Sequence, residues 1–527
     1  MIPLKIIIGS RGSELALWQA KYVQEQLHSA GLNSEIKIIK TKGDKIQELG
    51  FDKMEGKGFF TKEIEEALLK KEIDLAVHSH KDLPTESPVG LVIAAVSMRE
   101  DPSELIVINK DAVDEKQKFS VKKNALVGTS SARRKSQLLA FRDDLKIQDL
   151  RGNVPTRIRK LRDKEYDAIV LAAAGVNRLE IDLSEFHCEK PGPKEFIPAP
   201  AQGVLALQIR ESDKELLLKL QQLNNAEVAQ AIAIERKVLN LFDGGCQLPL
   251  GVYCEKDEDK DGQVVFNTWT AKADAWNVVP KYLFTQMASP EKTAESIVSK
   301  IKSIKAGSVF ITRDSRKHDF FTRVLSSNNY SVSCRALIEI KSLDFLKKLA
   351  GIKYEWVFFS SKHAVSHFFD RKPVITDVKF GVVGKATADM LRKYGKRADF
   401  IGQSTDTKMI GKQFSTMAGD KTVLFPRAKE SMRSIQQQFI KPEKVIDLVV
   451  YESTKKNEIP VPKADILVFT SPSNVEAFFE KNKIASHQKV VAMGDATAHA
   501  LFRYGVKHCK QPASFDDMGL VQAVFGV

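Results

Sequence analysis

The chain has 527 residues, 43% hydrophobic and 28% charged, with a net charge of +14. At ~100–200 residues per domain this predicts roughly three to five folding units; ordinary Gly (29) and Pro (19) counts, with no long Ser, Gln or Pro block, exclude a disordered or collagen-like chain. No run of about 18 uncharged apolar residues exists, which excludes a spanning helix, and the cationic surplus calls for an anionic partner: nucleic acid, a membrane surface or a small polyanionic metabolite.

The apolar start, Met1 to Ser10, is too short for a signal peptide and lacks a small-residue cleavage site, so it reads as a first strand at Ile6–Ile8. Leu15–Leu27 has helical spacing, Glu35–Lys40 alternates like a strand, Phe60–Lys71 is helical and Ile73–Val77 is a buried-type strand. Leu91–Val96, Ser103–Asn109, Leu126–Val127 and Ala168–Ala172 continue the strand series. Strands alternating with helices predict an α/β architecture with parallel or mixed sheets. Pro191-Gly-Pro and Ile197-Pro-Ala-Pro-Ala-Gln-Gly predict a loop where the chain crosses between two lobes. In Glu255–Gly262 the acids mimic half of a calcium loop, but the twelfth position is Thr268 instead of the bidentate Glu such a loop needs, so a solvated hairpin is expected. Five cysteines, Cys188, Cys246, Cys254, Cys334 and Cys509, are scattered with no CxxC pair. They predict no disulfide framework, no zinc site and a cytoplasmic location.

From about Ala306 an internal repeat appears. Phe358–Phe369 echoes Val468–Phe479, and Val383–Leu391 echoes Met493–Leu501, each second motif followed by Tyr-Gly, all at one offset of 110 residues. This predicts two similar α/β lobes. In each, an apolar strand ends in Ser or Thr and opens a helix, leaving amide groups and a positive dipole end for an anion, or serving as a plain N-cap.

Four Arg-rich turns stand out in the first half: Gly9-Ser-Arg11-Gly-Ser13, Gly128-Thr-Ser-Ser131-Ala-Arg133-Arg134, Leu150-Arg151 to Arg157, and Gly175-Val-Asn-Arg178. Each sets a guanidinium beside Gly, Ser or Thr at an expected helix N-terminus, a pattern suited to gripping carboxylates bidentately. Such singly placed arginines favour a small carboxylate or phosphate ligand over nucleic acid, which prefers basic stripes with aromatic platforms. His78-Ser-His-Lys81-Asp82-Leu-Pro84 follows a buried strand, so Asp82 is expected at a cleft, where it can stabilise a cation, relay a proton or form a loop ion pair. His78 and His80 have no third ligand at metal spacing. Cys246, in Asp243-Gly-Gly-Cys-Gln, sits on a flexible turn as a nucleophile, an attachment point or a small buried thiol.

Together these motifs, with Gly56-Lys-Gly-Phe59 and Tyr166-Asp-Ala-Ile169, closely resemble the porphobilinogen deaminase (hydroxymethylbilane synthase) family over the first ~300 residues. The remaining ~220 resemble the uroporphyrinogen-III synthase family, whose two-lobed pattern matches the repeat. The first resemblance implies two periplasmic-binding-protein-like lobes, residues 1–101 with 200–222 and residues 102–199, plus a small α+β third domain at 223–300. It implies a dipyrromethane cofactor held covalently by Cys246, with Lys81, Ser131, Arg133, Arg134 and Arg157 about it. Arg11, Ser13, Arg151 and Arg178 would grip substrate acetate and propionate arms, and Asp82 would assist deamination. Four porphobilinogen units would join with loss of ammonia to give hydroxymethylbilane. His80, where many relatives have Met, and Pro155 depart from the pattern without removing a charge.

The second resemblance implies closure of that product, with inversion of its last ring, to uroporphyrinogen III. Lobes at 306–341 with 455–527 and at 342–454 are implied, with Tyr451 assisting hydroxyl departure and Ser361, Thr387, Ser471, Ser473 and Thr497 lining the cleft. No metal is implied, and a cytoplasmic monomer is expected that binds neither nucleic acid nor membrane. Two rival readings are a non-catalytic second half and a two-lobed protein that only holds an anion.

Overall fold

The computed structural model describes residues 5–41, 61–244, 247–259, 261–314, 319–404, 406–456 and 462–527. Cys246 and the Gly56–Phe59 motif lie outside the described residues. The chain divides into two compact units, Met1–Ile304 and Lys305–Val527. Both are mixed α/β, with five sheets among the described residues.

In the first unit the predicted strands form with small shifts of boundary. Leu91–Val96 and Ala168–Ala172 have the expected bounds, and the expected strand at Ile73–Val77 is observed at Leu75–Ser79. One five-stranded sheet runs Ser34–Ile38, Ile6–Ser10, Leu75–Ser79, Leu205–Arg210, Leu91–Val96. Its first three strands are parallel, and Leu205–Arg210 is antiparallel to both neighbours. The second sheet repeats this plan: Lys146–Gln148, Leu126–Gly128, Ala168–Ala172, Glu104–Ile108, His187–Glu189. Its first three strands are again parallel and Glu104–Ile108 is antiparallel.

In each sheet the antiparallel insert arrives from the other sheet, so the chain crosses twice, near 97–103 and 190–204. The second crossing needs a glycine. Gly203 has φ +89°, and a Cβ there would lie 2.2 Å from the Glu100 carbonyl oxygen of the first crossing. The apolar strand residues bury where the pattern placed them: Ile6, Ile8, Leu75, Val77, Leu205 and Leu207 join Ala20, Val23 and Leu27 of helix Glu14–Ser29 in one core.

A three-stranded antiparallel meander, Leu250–Glu258, Val264–Lys272 and Lys281–Met287, follows. The expected hairpin is therefore present at Glu258 and Val264. Helices Ala226–Leu241 and Pro290–Ser303 pack on the meander through Val238, Leu250, Val252, Leu283, Ile297 and Ile301.

The second unit carries the repeat as two sets of matching elements. Strand Trp356–Phe359, helix Lys362–Phe369, strand Lys379–Val382 and helix Lys385–Lys393 recur as Ile466–Phe469, Pro472–Phe479, Lys489–Ala492 and Asp495–Arg503. The first set lies in a six-stranded sheet and the second in a four-stranded one. The boundaries expected at 341/342 and 454/455 fall inside strands. Ile338–Ser342 pairs antiparallel with Val445–Lys455, so both belong to the six-stranded sheet. Local sequence cannot show this, because ladder partners there are more than 100 residues apart. No helix among the described residues is long and apolar enough to cross a membrane.

Candidate functional site

In both lobes of the first unit, a strand's carboxyl end feeds a helix capped by serine. Ser13 Oγ accepts from the Ala16 amide (3.4 Å), and Ser131 Oγ accepts from the Arg134 amide (3.4 Å). Each cap satisfies an amide that the helix leaves without a partner. Arg11, half-buried, precedes the first cap, while Arg133 and Arg134 occupy the first turn after the second. Arg151 is half-buried in the loop before helix Val154–Arg162, which Asn153 caps. Pro155 sits in that helix's first turn, where a missing amide hydrogen costs nothing.

Two arginines are not at helix N-termini as the sequence suggested. Arg157 lies within Val154–Arg162 and reaches back to the Gly152 carbonyl (2.8 Å). Arg178 ends the short helix Ala173–Arg178, buried against Trp18, and donates to the Gly203 carbonyl (2.6 Å). In both cases the helix starts earlier than the Gly or Arg signal implied, because Asn153 and Ala172 are the observed N-cap residues.

Strand Leu75–Ser79 ends in a single helical turn, His80–Asp82. Asp82 is exposed and Lys81 half-buried, with Lys81 Nζ 3.4 Å from Gln202 Oε1. Burial depresses the Lys81 ammonium; Asp82 and Glu104 oppose that, and Arg134 and Arg133 add to it. Arg157 is pushed down to about 10 by burial and by Arg134, with Asp82 opposing. Lys81, Arg133, Arg134 and Arg157 therefore form one coupled group of four cations.

Glu104, absent from the sequence-derived set, sits among them. It opens strand Glu104–Ile108 and is 0% exposed. Arg133 Nη2 donates to its Oε1 and Arg134 Nη2 to its Oε2, both at 2.6 Å, and Gln202 Nε2 donates to Oε1 at 3.2 Å. Burial alone would raise this carboxyl, but Arg134, Arg133 and Lys81 hold it at about 2. The signal in the sequence was an acid opening a wholly apolar strand, a residue type almost never buried without a partner.

Two further guanidinium donors go to the Ile197 carbonyl (Arg133 Nη1, 3.0 Å) and the Val170 carbonyl (Arg134 Nη1, 2.9 Å). Arg134 Nε is buried with no acceptor. Four cations face two carboxylates, Glu104 and Asp82, so the cluster retains positive charge and an unused buried donor. Both features fit an acidic ligand such as a dipyrromethane bearing carboxylate arms.

Beneath the Asp82 turn, His78 Nε2 lies 3.1 Å from Gln208 Oε1, and His80 is buried with Nδ1 unpartnered. Burial pushes His78 down to about 4 and His80 to about 3, Arg236 adding to the latter. Both rings are neutral in the folded chain at neutral pH, whereas the unfolded chain protonates them below about 6.5. Their contribution to stability is thus complete above pH 6.5 and is lost as the pH falls toward 4 and then 3, on the order of 3 kcal/mol for His78 alone. Urea midpoints measured from pH 7 to 4.5 should fall steadily for the natural chain and much less for His78→Gln/His80→Met; equal slopes would remove the histidines as the cause.

In the second unit, Ser361 Oγ caps helix Lys362–Phe369, accepting from the Ala364 amide (3.0 Å), and lies 3.2 Å from the Tyr451 hydroxyl. Tyr451 is 8% exposed, its ring centroid 5.2 Å from His367 and 6.1 Å from His363. Burial raises its phenol, and the Ser361 hydrogen bond partly offsets this. Ser471 caps the repeated helix at the Asn474 amide (3.3 Å), and Ser473 follows Pro472 in its first turn. Thr387 and Thr497 are each 4% exposed, tucked into the starts of their helices. The structure thus joins Ser361 to Tyr451, while Ser471, Ser473 and Thr497 stand on helices of the four-stranded sheet's half.

Comparison with known proteins adds the following. Residues 6–218 match the family model for the porphobilinogen deaminase dipyromethane cofactor binding domain, and residues 319–522 match that for uroporphyrinogen-III synthase HemD. The porphobilinogen deaminase of Oceanobacillus iheyensis is 45% identical over 258 residues, 49% of this chain and 82% of that protein. That of Chloroherpeton thalassium is 41% identical over 297 residues, covering 55% and 91%, and that of Maridesulfovibrio salexigens 46% over 259 residues, covering 49% and 82%. The chain therefore belongs to the porphobilinogen deaminase family and carries a uroporphyrinogen-III synthase domain in the same polypeptide.

Proposed function

We propose that the cation cluster about Lys81, Asp82 and Glu104 is the working centre of the first half of a bifunctional tetrapyrrole (haem) biosynthesis enzyme. The first half, a transferase, joins four porphobilinogen molecules with loss of four ammonia molecules, and water then releases the chain as hydroxymethylbilane. The second, a lyase, closes that product with inversion of ring D to uroporphyrinogen III. The observation that carries the reading is the buried Arg133–Glu104–Arg134 group, tied through Gln202 to Lys81, with the exposed Asp82 carboxylate following strand Leu75–Ser79.

The dipyrromethane cofactor, bound through Cys246, supplies the pyrrole end to which substrate is joined. Lys81, Ser131, Arg133, Arg134 and Arg157 hold its acidic arms; Arg11, Ser13, Arg151 and Arg178 hold those of the incoming unit. Asp82 accepts a hydrogen bond from the substrate pyrrole nitrogen and stabilises the positive charge that grows as ammonia leaves, an electrostatic role suited to an exposed carboxylate in a cationic surround. In the second half, the Tyr451 hydroxyl, oriented by Ser361, donates toward the departing substrate hydroxyl, with Thr387, Ser471, Ser473 and Thr497 presenting the helix starts to the acidic arms. Each half carries its own set of groups, which supports a monomer. Singly placed arginines support small pyrrole acids over nucleic acid or a membrane, and cysteines scattered along the sequence without a CxxC pair support the cytoplasm.

Intact-mass measurement of the purified chain tests the first half: a covalent increment lost in a Cys246→Ser variant supports it, and a bare polypeptide mass overturns it. Incubation with porphobilinogen and separation of the uroporphyrin isomers tests the second, since type I product alone marks spontaneous closure. Tyr451→Phe should slow enzymatic closure about 10²–10⁴-fold, the range of a lost proton donor, and so raise the type I fraction as spontaneous closure overtakes it, while an unchanged isomer ratio would assign Tyr451 to packing.

A further inference from the structure

Helix Ala226–Leu241 carries two consecutive charged residues with different grips on the chain. Glu235, 0% exposed, accepts from both terminal guanidinium nitrogens of Arg99, Nη1 (2.7 Å) and Nη2 (3.2 Å), and from the amides of Ala201 (2.6 Å) and Cys254 (2.8 Å). It fixes the helix to both crossings and to the meander. Arg236 reaches the Asp82 turn instead. Its Nη1 donates to the carbonyls of His80 (3.0 Å) and Leu83 (3.3 Å), and its Nη2 to that of Pro84. One guanidinium thus spans the turn that holds Lys81 and Asp82. Four residues on, Asn240 Nδ2 donates to Glu86 Oε1 (3.2 Å) just beyond that turn.

The same helix leads to the anchor. It ends at Leu241, and Gly244, whose amide returns to the Leu239 carbonyl (3.1 Å), stands two residues before Cys246. A Cβ at Gly244 would come within 2.6–2.8 Å of the Leu248 and Leu239 side chains.

We infer that Arg236 is a positioning residue for the deaminase reaction. By its three carbonyl contacts it holds the Asp82 turn against helix Ala226–Leu241. The inference rests on the assignment of Asp82 and Cys246 made above. Arg236 acts through backbone oxygens of the turn, so its loss displaces Asp82 without removing any group assigned to the cofactor or substrate. A displacement of about 1 Å at a reacting carboxylate can cost on the order of 10²-fold in rate.

The experiment compares Arg236→Gln, Arg236→Lys, Asp82→Asn and the double variant Asp82→Asn/Arg236→Gln as full chains loaded with cofactor. Cofactor content is read by intact mass, fold by circular dichroism, and kcat and KM from porphobilinogen consumption. The expected result for Arg236→Gln is full cofactor loading, KM within about threefold, and kcat reduced about 10²-fold. In the Asp82→Asn background the second change should cost less than about threefold, the signature of two residues acting as one unit. Arg236→Lys, which keeps the cation without the planar fork, should recover only part of kcat, and it carries the same comparison should the Gln variant lose its fold. Unchanged kcat, a rise in KM alone, or a full multiplicative loss on top of Asp82→Asn would overturn the inference. Near-normal turnover of Asp82→Asn by itself would instead strike the underlying assignment, so the two failures are distinguishable.

Discussion

Asp82→Asn should leave the chain folded and its cofactor attached while turnover of porphobilinogen falls by about 10²–10⁴-fold. Asn keeps the size of the side chain and can still accept one hydrogen bond, but it carries no charge. Asp82 is exposed, so it contributes little to the packed core and its loss should hardly move the unfolding midpoint. The carboxylate stands against Lys81 and Arg157, both of which feel its charge. Removing it leaves those cations unopposed next to a substrate that becomes positive as ammonia departs, which raises the barrier for that step specifically. Binding of the acidic arms should be kept or strengthened, so KM should hold or fall while kcat collapses. Equal turnover of variant and natural chain would take Asp82 out of the chemistry.

Glu104→Gln should produce the largest loss of stability. The carboxylate is 0% exposed and receives one 2.6 Å hydrogen bond from each of Arg133 and Arg134. Both guanidinium groups are themselves buried. An amide neutralises neither, and its NH2 group opposes a donor. Breaking a buried ion pair by removing one partner costs about 3–5 kcal/mol, because the other charge is left without compensation. The effect should be greater in a Cys246→Ser background than in the loaded chain, since the cofactor's acidic arms can replace part of the missing charge and ligand binding to the folded state stabilises it. Denaturant midpoints of the four proteins measure this directly, and an unchanged midpoint in the Cys246→Ser background would show that Glu104 is not the counter-ion. The charge of Glu104 also has a pH signature. Its folded-state pKa of about 2 lies below the unfolded value of 4.5, so its contribution is complete above pH 4.5 and is lost as the pH falls toward 2.

The two units respond to separate tests. Variants at Asp82, Glu104 and Arg236 should alter porphobilinogen consumption and leave the isomer ratio of whatever product forms untouched. Tyr451→Phe should do the reverse. This separation follows from where the residues lie, the first three within Met1–Ile304 and the last within Lys305–Val527.

What the sequence by itself determined was local. Apolar periodicity placed seven strands of the first unit within a few residues, since a buried strand presents a continuous apolar run, but it did not mark Leu205–Arg210 or the strands of the meander. Ser13, Ser131, Ser361 and Ser471 could be read as helix starts because capping is settled within three or four residues of chain. The offset of 110 residues marks two matching sets of elements. The tertiary structure alone decided which charges meet. Glu104 looks like an ordinary acid until strand pairing brings it to arginines 29 and 30 positions away. Arg236 reads as a solvated helix residue until its helix docks on a turn more than 150 positions distant. The placement of Ile338–Ser342 in the six-stranded sheet likewise depends on a partner strand over 100 residues on. In each case the deciding energy is the desolvation of a charge or of a backbone edge, and that quantity exists only once distant segments have packed together.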